Sequence, residues 1–240
     1  FVLNKFAKSN NLKKIAQELH HKEDLKFNFT IFLLLKISKF GLFYEFGQTL
    51  FEKIYFLKIF LNFFKIKNIK KIKWRGNDIS EIFNFFCNNF YKNFDVKVFK
   101  TFNTKNVKNS TFFAKGVTLL YVKDNIKILK SIINNSKSGC FDISLVVKKS
   151  NIYLNTGKLL YFPTVKEFDN LIKRSNKSFL FKNIKIDNQN KIYLEVIYGS
   201  EEIISKYLKE IISYKKILKN NKIVRNLLGL NLKIHKNKYY

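Results

Sequence analysis

Apolar residues along this chain change their spacing several times, and the changes mark out its elements. Up to residue 64 the spacing is helical. Asn11–Leu19 forms a short amphipathic segment. Phe40–Phe64 is a longer helical run, with Phe43, Phe46, Leu50, Ile54, Leu57 and Leu61 on one face. Ile69–Trp74 then reads as a strand, and Asn77-Asp78 opens a helix. Asp78 and Glu81 stand at capping-box spacing, and Ile79, Ile82, Phe83, Phe86 and Phe90 share an apolar face. Val96–Lys100 is the next strand. Gly116–Val122 is a nearly continuous apolar run, which suits a strand covered on both sides.

Asp124 caps the helix that follows, whose face is Ile126, Leu129, Ile132 and Ile133. Ile143–Val147 predicts a strand, and Ile152–Leu154 a short extended stretch. The single proline, Pro163, precedes Thr164, which forms a second capping box with Glu167 and opens a helix through Ile172. Asn183–Ile186 and Lys191–Ile197 read as a hairpin. Ser200-Glu201-Glu202 begins a long helix with Ile203, Ile204, Leu208, Ile211, Ile212 and Leu218 on one side. The pattern therefore predicts an α/β (α+β) protein with one sandwich-type core domain, residues 67–198. A helical basic extension, residues 1–66, precedes it, and a C-terminal helix with a basic tail, residues 199–240, follows.

Composition sharpens this picture. The 240 residues carry a net charge of +29, and at 46% hydrophobic residues the chain can bury a core. Phe occurs 27 times, Tyr 12 times and Met not at all. Residues with A/T-rich codons are inflated throughout, so Lys-for-Arg choices reflect an A/T-rich, organellar type of genome rather than function. The longest stretch without a charge, Ile82–Tyr91, has ten residues, half of the ~20 a spanning helix needs. No secretory leader opens the sequence. Cys87 and Cys140 are too few for a disulfide framework, and Cys87 falls on an apolar helical face, as a buried thiol would. These features predict a soluble, intracellular chain.

No catalytic constellation can be assembled from the sequence. His20-His21 with Glu23 and Asp24 have no further ligand nearby, so no metal site is expected. Glycine-rich nucleotide loops are absent, so neither a cofactor nor an enzymatic activity is expected. What remains is charge, concentrated at Lys65–Arg75, in the acid-free interval Lys97–Lys123, and beyond Lys215. On this basis Lys65, Lys67, Lys70, Lys71, Lys73, Arg75, Lys97, Lys100, Lys105 and Lys108 are the expected RNA-binding residues, neutralising phosphate.

Lys71-Ile-Lys-Trp-Arg-Gly-Asn-Asp-Ile-Ser-Glu-Ile resembles the first strand, turn and helix of the ribosomal stalk-base protein L-ten family, related to protein P-zero. Phe94–Phe102, Lys115–Asn125 and Leu160–Phe168 are similar to later elements of that family, in the same order. The resemblance implies a structural, non-catalytic component of the large subunit of a mitochondrial ribosome, acting in translation in the matrix. Its implied partners are ribosomal RNA, an L-eleven-like neighbour and stalk dimers. No small-molecule substrate is implied. Arg75-Gly76 would occupy the first turn and Lys100-Thr101 the second. The face Ile203, Ile204, Leu208, Ile211, Ile212 and Leu218 would recruit the dimers. The alternatives are another organellar ribosomal protein, or a basic peripheral membrane or respiratory-complex subunit with Phe40–Phe64 lying on lipid.

Overall fold

The computed structural model describes residues 22–47, 50–66, 73–77, 95–148, 150–153, 159–188 and 191–238. The chain is an α/β protein. Its elements run α1 (Lys22–Ile37), β1 (Leu42–Phe46), α2 (Leu50–Phe63), β2 (Lys73–Asn77), β3 (Asp95–Phe99), α3 (Thr104–Val107) and β4 (Thr111–Ala114). A 3₁₀ helix (Gly116–Tyr121), α4 (Asn125–Asn135), β5 (Ser138–Leu145), β6 (Ser150–Tyr153), β7 (Leu159–Phe162) and α5 (Val165–Lys173) come next. Then follow β8 (Ser178–Ile186), β9 (Ile192–Gly199), α6 (Glu201–Ile217), α7 (Lys222–Leu227) and β10 (His235–Lys236).

The main sheet has the order β10-β8-β9-β5-β4-β1-β2-β3. β3, β2, β1, β4 and β5 are parallel, whereas β9 runs antiparallel to both β5 and β8. Side-chain alternation sends successive residues to opposite faces. On β1, Phe43 enters a cluster with Phe29, Phe32, Phe60 and Ile204, while Tyr44 enters one with Leu129, Ile133, Phe168 and Tyr198. Helices α1, α2 and α6 thus cover one face, and α4 and α5 the other. Aromatic edges lock the centre: Trp74 packs T-shaped on Phe43 at 5.7 Å and on Phe113 at 5.2 Å.

Several predicted elements form as expected. Thr164 and Glu167 make a reciprocal capping box, Ser200 caps α6, and β8 and β9 pair antiparallel. Others are corrected. Phe40–Phe64 is not one helix: β1 occupies its start and α2 its remainder. A short strand buried on both faces shows no alternation, so its apolar run merged with the helix behind it. β1 lies between β2 and β4, so residues 42–46 belong to the heart of the sheet rather than to an appended extension. Gly116–Val122 is a 3₁₀ helix instead of a strand. Its covering comes from two sides, Leu119 joining the α4 cluster and Leu120 packing with Val146, Leu160 and Phe162. β4 has only four residues and was missed by the periodicity. His235, in the predicted basic tail, pairs with Phe181 and so adds the edge strand β10 to the sheet. Asn11–Leu19, the helix predicted after Asp78, and Cys87 lie outside the described residues.

Candidate functional site

The chain leaves β1 towards β2 and β3 on one side, then returns from β3 to add β4 on the other side of β1. Connections after β1 and β4 therefore diverge, and a crevice opens at the carboxyl ends of these strands. In open α/β sheets this switch point is where ligands bind.

Gly47 follows β1 at the crevice floor with φ +68°, a conformation glycine adopts without steric cost. A Cβ built there would lie 1.8 Å from Cγ2 of Thr118 in the 3₁₀ helix. Thr118 is itself tied down, its hydroxyl donating to Lys115 O at 2.8 Å. Glu45, 2% exposed, accepts from Trp74 Nε1 at 3.3 Å beneath the same strand end. Asn77 ends β2, and Tyr44 Oη donates to its Oδ1 at 3.2 Å. Burial pushes the Tyr44 phenol well above the ordinary tyrosine range, so it remains a donor. Phe102, beyond β3, stands edge-on to Phe46 at 5.4 Å and to Tyr44 at 6.1 Å, an aromatic wall beside Asn77.

Across the 3₁₀ helix a second, open cavity of about 450 Å³ lies between the first turns of α4 and α5. Lys123, Asn125, Lys127, Tyr161, Phe162 and Glu167 are among its lining residues. Tyr161, Phe162 and Pro163 form its far wall, held in place where β7 pairs antiparallel with β6, where Val146 N donates to Pro163 O at 3.1 Å and where Val165 N donates to Val146 O at 3.0 Å. Lys191 Nζ sits 5.3 Å from the Phe162 ring centroid, adding positive charge behind this wall.

The sequence-predicted RNA residues do not converge on one surface. Lys67, Lys70 and Lys71 lie outside the described residues. Lys73 starts β2 and Lys100 follows the end of β3. Because β2 and β3 are parallel neighbours in register, these positions lie at opposite ends of the two strands, about 13 Å or more apart. Lys65, Lys97, Lys105 and Lys108 are exposed: Lys65 follows α2, Lys97 lies within β3, and Lys105 and Lys108 lie in and just after α3. Arg75 and Gly76 are inside β2 rather than in a turn. Arg75 binds Asp95 through Nη2–Oδ2 at 3.0 Å. Ile203, Ile204, Ile211 and Leu218 are buried in the chain's own core, whereas Ile212 is 54% exposed, so no continuous stalk-recruiting face remains. Among the described residues no cluster of His, Cys, Asp or Glu could hold a metal, and no helix is long and apolar enough to cross a membrane. Cys140 is a buried free thiol.

Gly47, Asn77, Thr118 and Asn125 were missed by sequence reasoning. Their signal was faint: Tyr44-Glu45-Phe46-Gly47 is a short apolar run ending in glycine before a helix, without the further glycines of a dinucleotide fingerprint.

No family model and no curated protein matches the sequence. Solved structures do match. The N-terminal domain of EvdMO1, in the presence of SAH and D-fucose, superposes with a TM-score of 0.51 at 7% identity, covering 72% of this chain and 83% of that one. Magnesium protoporphyrin IX methyltransferase from Synechocystis PCC 6803 with bound SAM gives 0.45 at 9% identity, over 75% of this chain and 80% of that one. A Burkholderia thailandensis 1,6-didemethyltoxoflavin-N1-methyltransferase with bound 1,6-didemethyltoxoflavin and S-adenosylhomocysteine gives 0.45 at 11% identity, over 83% of this chain and 88% of that one. The likeness to the EvdMO1 domain establishes the fold, and it overturns the L-ten resemblance. The expectations of a non-catalytic ribosomal role, of ribosomal RNA and stalk partners and of no small-molecule substrate fall with it, and so does the expectation of no enzymatic activity, drawn from the absence of a catalytic constellation and of glycine-rich loops.

Proposed function

We propose that this chain is a methyltransferase that takes S-adenosylmethionine into the crevice at the carboxyl ends of β1, β2 and β4. The observation that carries the reading is the sheet itself. A parallel β3-β2-β1-β4-β5 core, extended by the reversed β9, places its switch point directly at Gly47.

The residues present fit such a cofactor. Gly47 permits the left-handed backbone after β1 and lets Thr118 pack directly against it, which brings the 3₁₀ helix up to the switch point. Asn77, oriented by Tyr44, can hydrogen-bond sugar hydroxyls with its amide, and Phe46 with Phe102 offers an apolar, aromatic wall for a purine. The sequence following β1 carries one glycine, Gly47, before Gln48 and Thr49, which suits a cofactor without a pyrophosphate better than a dinucleotide. When bound, S-adenosylmethionine supplies a sulfonium methyl: the acceptor's lone pair bonds the carbon, the carbon–sulfur electrons stay on sulfur, and the acceptor's proton passes to water. This chain's part is to bind, to orient and to exclude water.

Calorimetric titration of the full chain with S-adenosylmethionine and S-adenosylhomocysteine tests the reading. Saturable one-to-one binding with Kd in the micromolar range, roughly −8 kcal/mol, is expected. Absence of binding by both up to millimolar concentration, or tighter binding of a dinucleotide, overturns it.

A further inference from the structure

Strand register brings Tyr44 to Asn77. In the parallel pair of β1 and β2, Tyr44 lies opposite Arg75 and Phe46 opposite Asn77. Alternation therefore sets Tyr44 and Asn77 on one face of the sheet as diagonal neighbours, within reach of a tyrosine side chain. The phenol is completely buried, and Phe102 stands edge-on to its ring at 6.1 Å. Arg75 does not compete for Asn77. Its guanidinium donates to Trp74 O at 2.9 Å, to Asp95 O at 2.6 Å and to Asp95 Oδ2 at 3.0 Å. The amide of Asn77 is thereby divided. Its Oδ1 accepts the Tyr44 hydroxyl at 3.2 Å, whereas its Nδ2 makes no hydrogen bond among the described residues. Asn77 is half-buried at the end of β2, so this NH₂ group keeps access to the crevice. Turning the amide over would leave the buried phenol proton without an acceptor.

We propose that Tyr44 is a positioning residue for the sugar of the cofactor: it holds the Asn77 carbonyl inward and so turns the amide NH₂ towards the crevice. Tyr44 acts through Asn77 and not by touching the ligand. The sugar hydroxyls are then read as acceptors, with one amide proton available to each oxygen of a vicinal pair. A carboxylate at this position would read the same hydroxyls as donors, which an amide held in this way cannot do. The crevice therefore selects a cofactor by the sugar oxygens themselves, and a sugar without them forfeits both bonds. The inference rests on the cofactor reading above.

The test titrates the full chain with S-adenosylhomocysteine and with the analogue that lacks both sugar hydroxyls. The unsubstituted chain should bind S-adenosylhomocysteine roughly tenfold tighter than the analogue, as two neutral hydrogen bonds warrant. Tyr44→Phe keeps the ring and removes only the donor. It should weaken S-adenosylhomocysteine about fivefold and leave the analogue unchanged. In an Asn77→Ala chain, which has already lost the preference, adding Tyr44→Phe should alter neither affinity. Equal binding of the two ligands by the unsubstituted chain overturns the proposal. So does a Tyr44→Phe chain that keeps the full preference, or one that weakens both ligands alike, as a purely structural residue would. A second measurement needs no variant to fold: hydrogen exchange of the Asn77 side-chain amide, followed by NMR in the unsubstituted chain. Its NH₂ protons should exchange freely without ligand and slow with S-adenosylhomocysteine but not with the analogue. Protection before any ligand is added would mean that the NH₂ points at Tyr44, and the proposal would fall. Any of these adverse results alongside S-adenosylhomocysteine binding sinks this inference alone. Binding of neither ligand sinks the cofactor reading and the role of Tyr44 with it.

Discussion

Gly47 and Thr118 are in contact across the switch point: a single added methyl on Gly47 would stand 1.8 Å from Thr118 Cγ2. Both the left-handed backbone and this contact forbid a side chain. Gly47→Ala is expected to cost about 1–2 kcal/mol from the backbone alone, and more from displacing the 3₁₀ helix. Urea melts measure the first effect and S-adenosylhomocysteine titration the second. Adding Thr118→Ser should restore part of the loss by removing Cγ2, giving a favourable coupling in a double-mutant cycle. Additive effects would show that the two residues do not constrain each other.

The Lys182–Glu195 pair is the most buried ion pair among the described residues, with side chains 3% and 2% exposed and Nζ 2.9 Å from Oε1. Thr30 of α1 joins them, donating to Glu195 Oε1 at 2.8 Å and meeting Lys182 Nζ as well. Glu195→Gln should destabilise the fold by about 3–5 kcal/mol, because it strands a buried ammonium. Lys182→Met/Glu195→Leu should recover most of that stability. Chemical denaturation of the three proteins decides the matter, and a mild effect of the single variant would mean that water reaches the pair.

Alkaline pH should unfold this protein early. Burial would depress Lys182, but the neighbouring Glu195 carboxylate outweighs it and holds the ammonium above the ordinary lysine range. Desolvation raises the phenols of Tyr44 and Tyr198 above theirs. In all three the folded state keeps its proton when the unfolded state has begun to lose it. Their stabilisation is therefore complete below about pH 10 and falls above it, by up to about 1.4 kcal/mol per pH unit for each group. Tyrosinate absorbance should rise together with the loss of circular dichroism. Ionisation of every tyrosine with the fold intact would contradict the buried positions.

Gly139→Ala is expected to be disruptive far from any ligand. Its Cβ would meet Phe112 O on the neighbouring strand at 2.5 Å and Tyr198 Oη at 2.7 Å. Tyr198 is fixed by Ser136, with their hydroxyl oxygens 2.7 Å apart, and cannot withdraw without loss of that bond. A cost of about 1–3 kcal/mol in thermal or urea melts follows. Tyr198→Phe in the same chain should not rescue it, since the backbone contact with Phe112 remains.

Much of the fold was legible because its signals are local. The Thr164–Glu167 box, the Ser200 cap and the β8–β9 hairpin depend on residues close in sequence, and each forms as expected. The boundary drawn near residue 66 hid the site. Phe43 and Phe46 satisfy a helical spacing as well as a strand, and nothing between residues 40 and 64 states that this segment will pair with Lys73–Asn77 and Thr111–Ala114. The lysine surplus misled for a related reason: a count of charges carries no positions, and Arg75 ends in an ion pair with Asp95 while Lys123 and Lys127 come to line a cavity.

Amino-acid order was enough to establish alternating helices and strands, their caps, and a chain rich enough in apolar residues to fold. Strand order came from long-range pairing, and with it the crevice at Gly47 and the meeting of α4 with α5. Periodicity is a property of neighbouring residues, whereas a binding site is assembled from segments that the fold brings together across roughly 30 to 70 positions, at a register no short window contains.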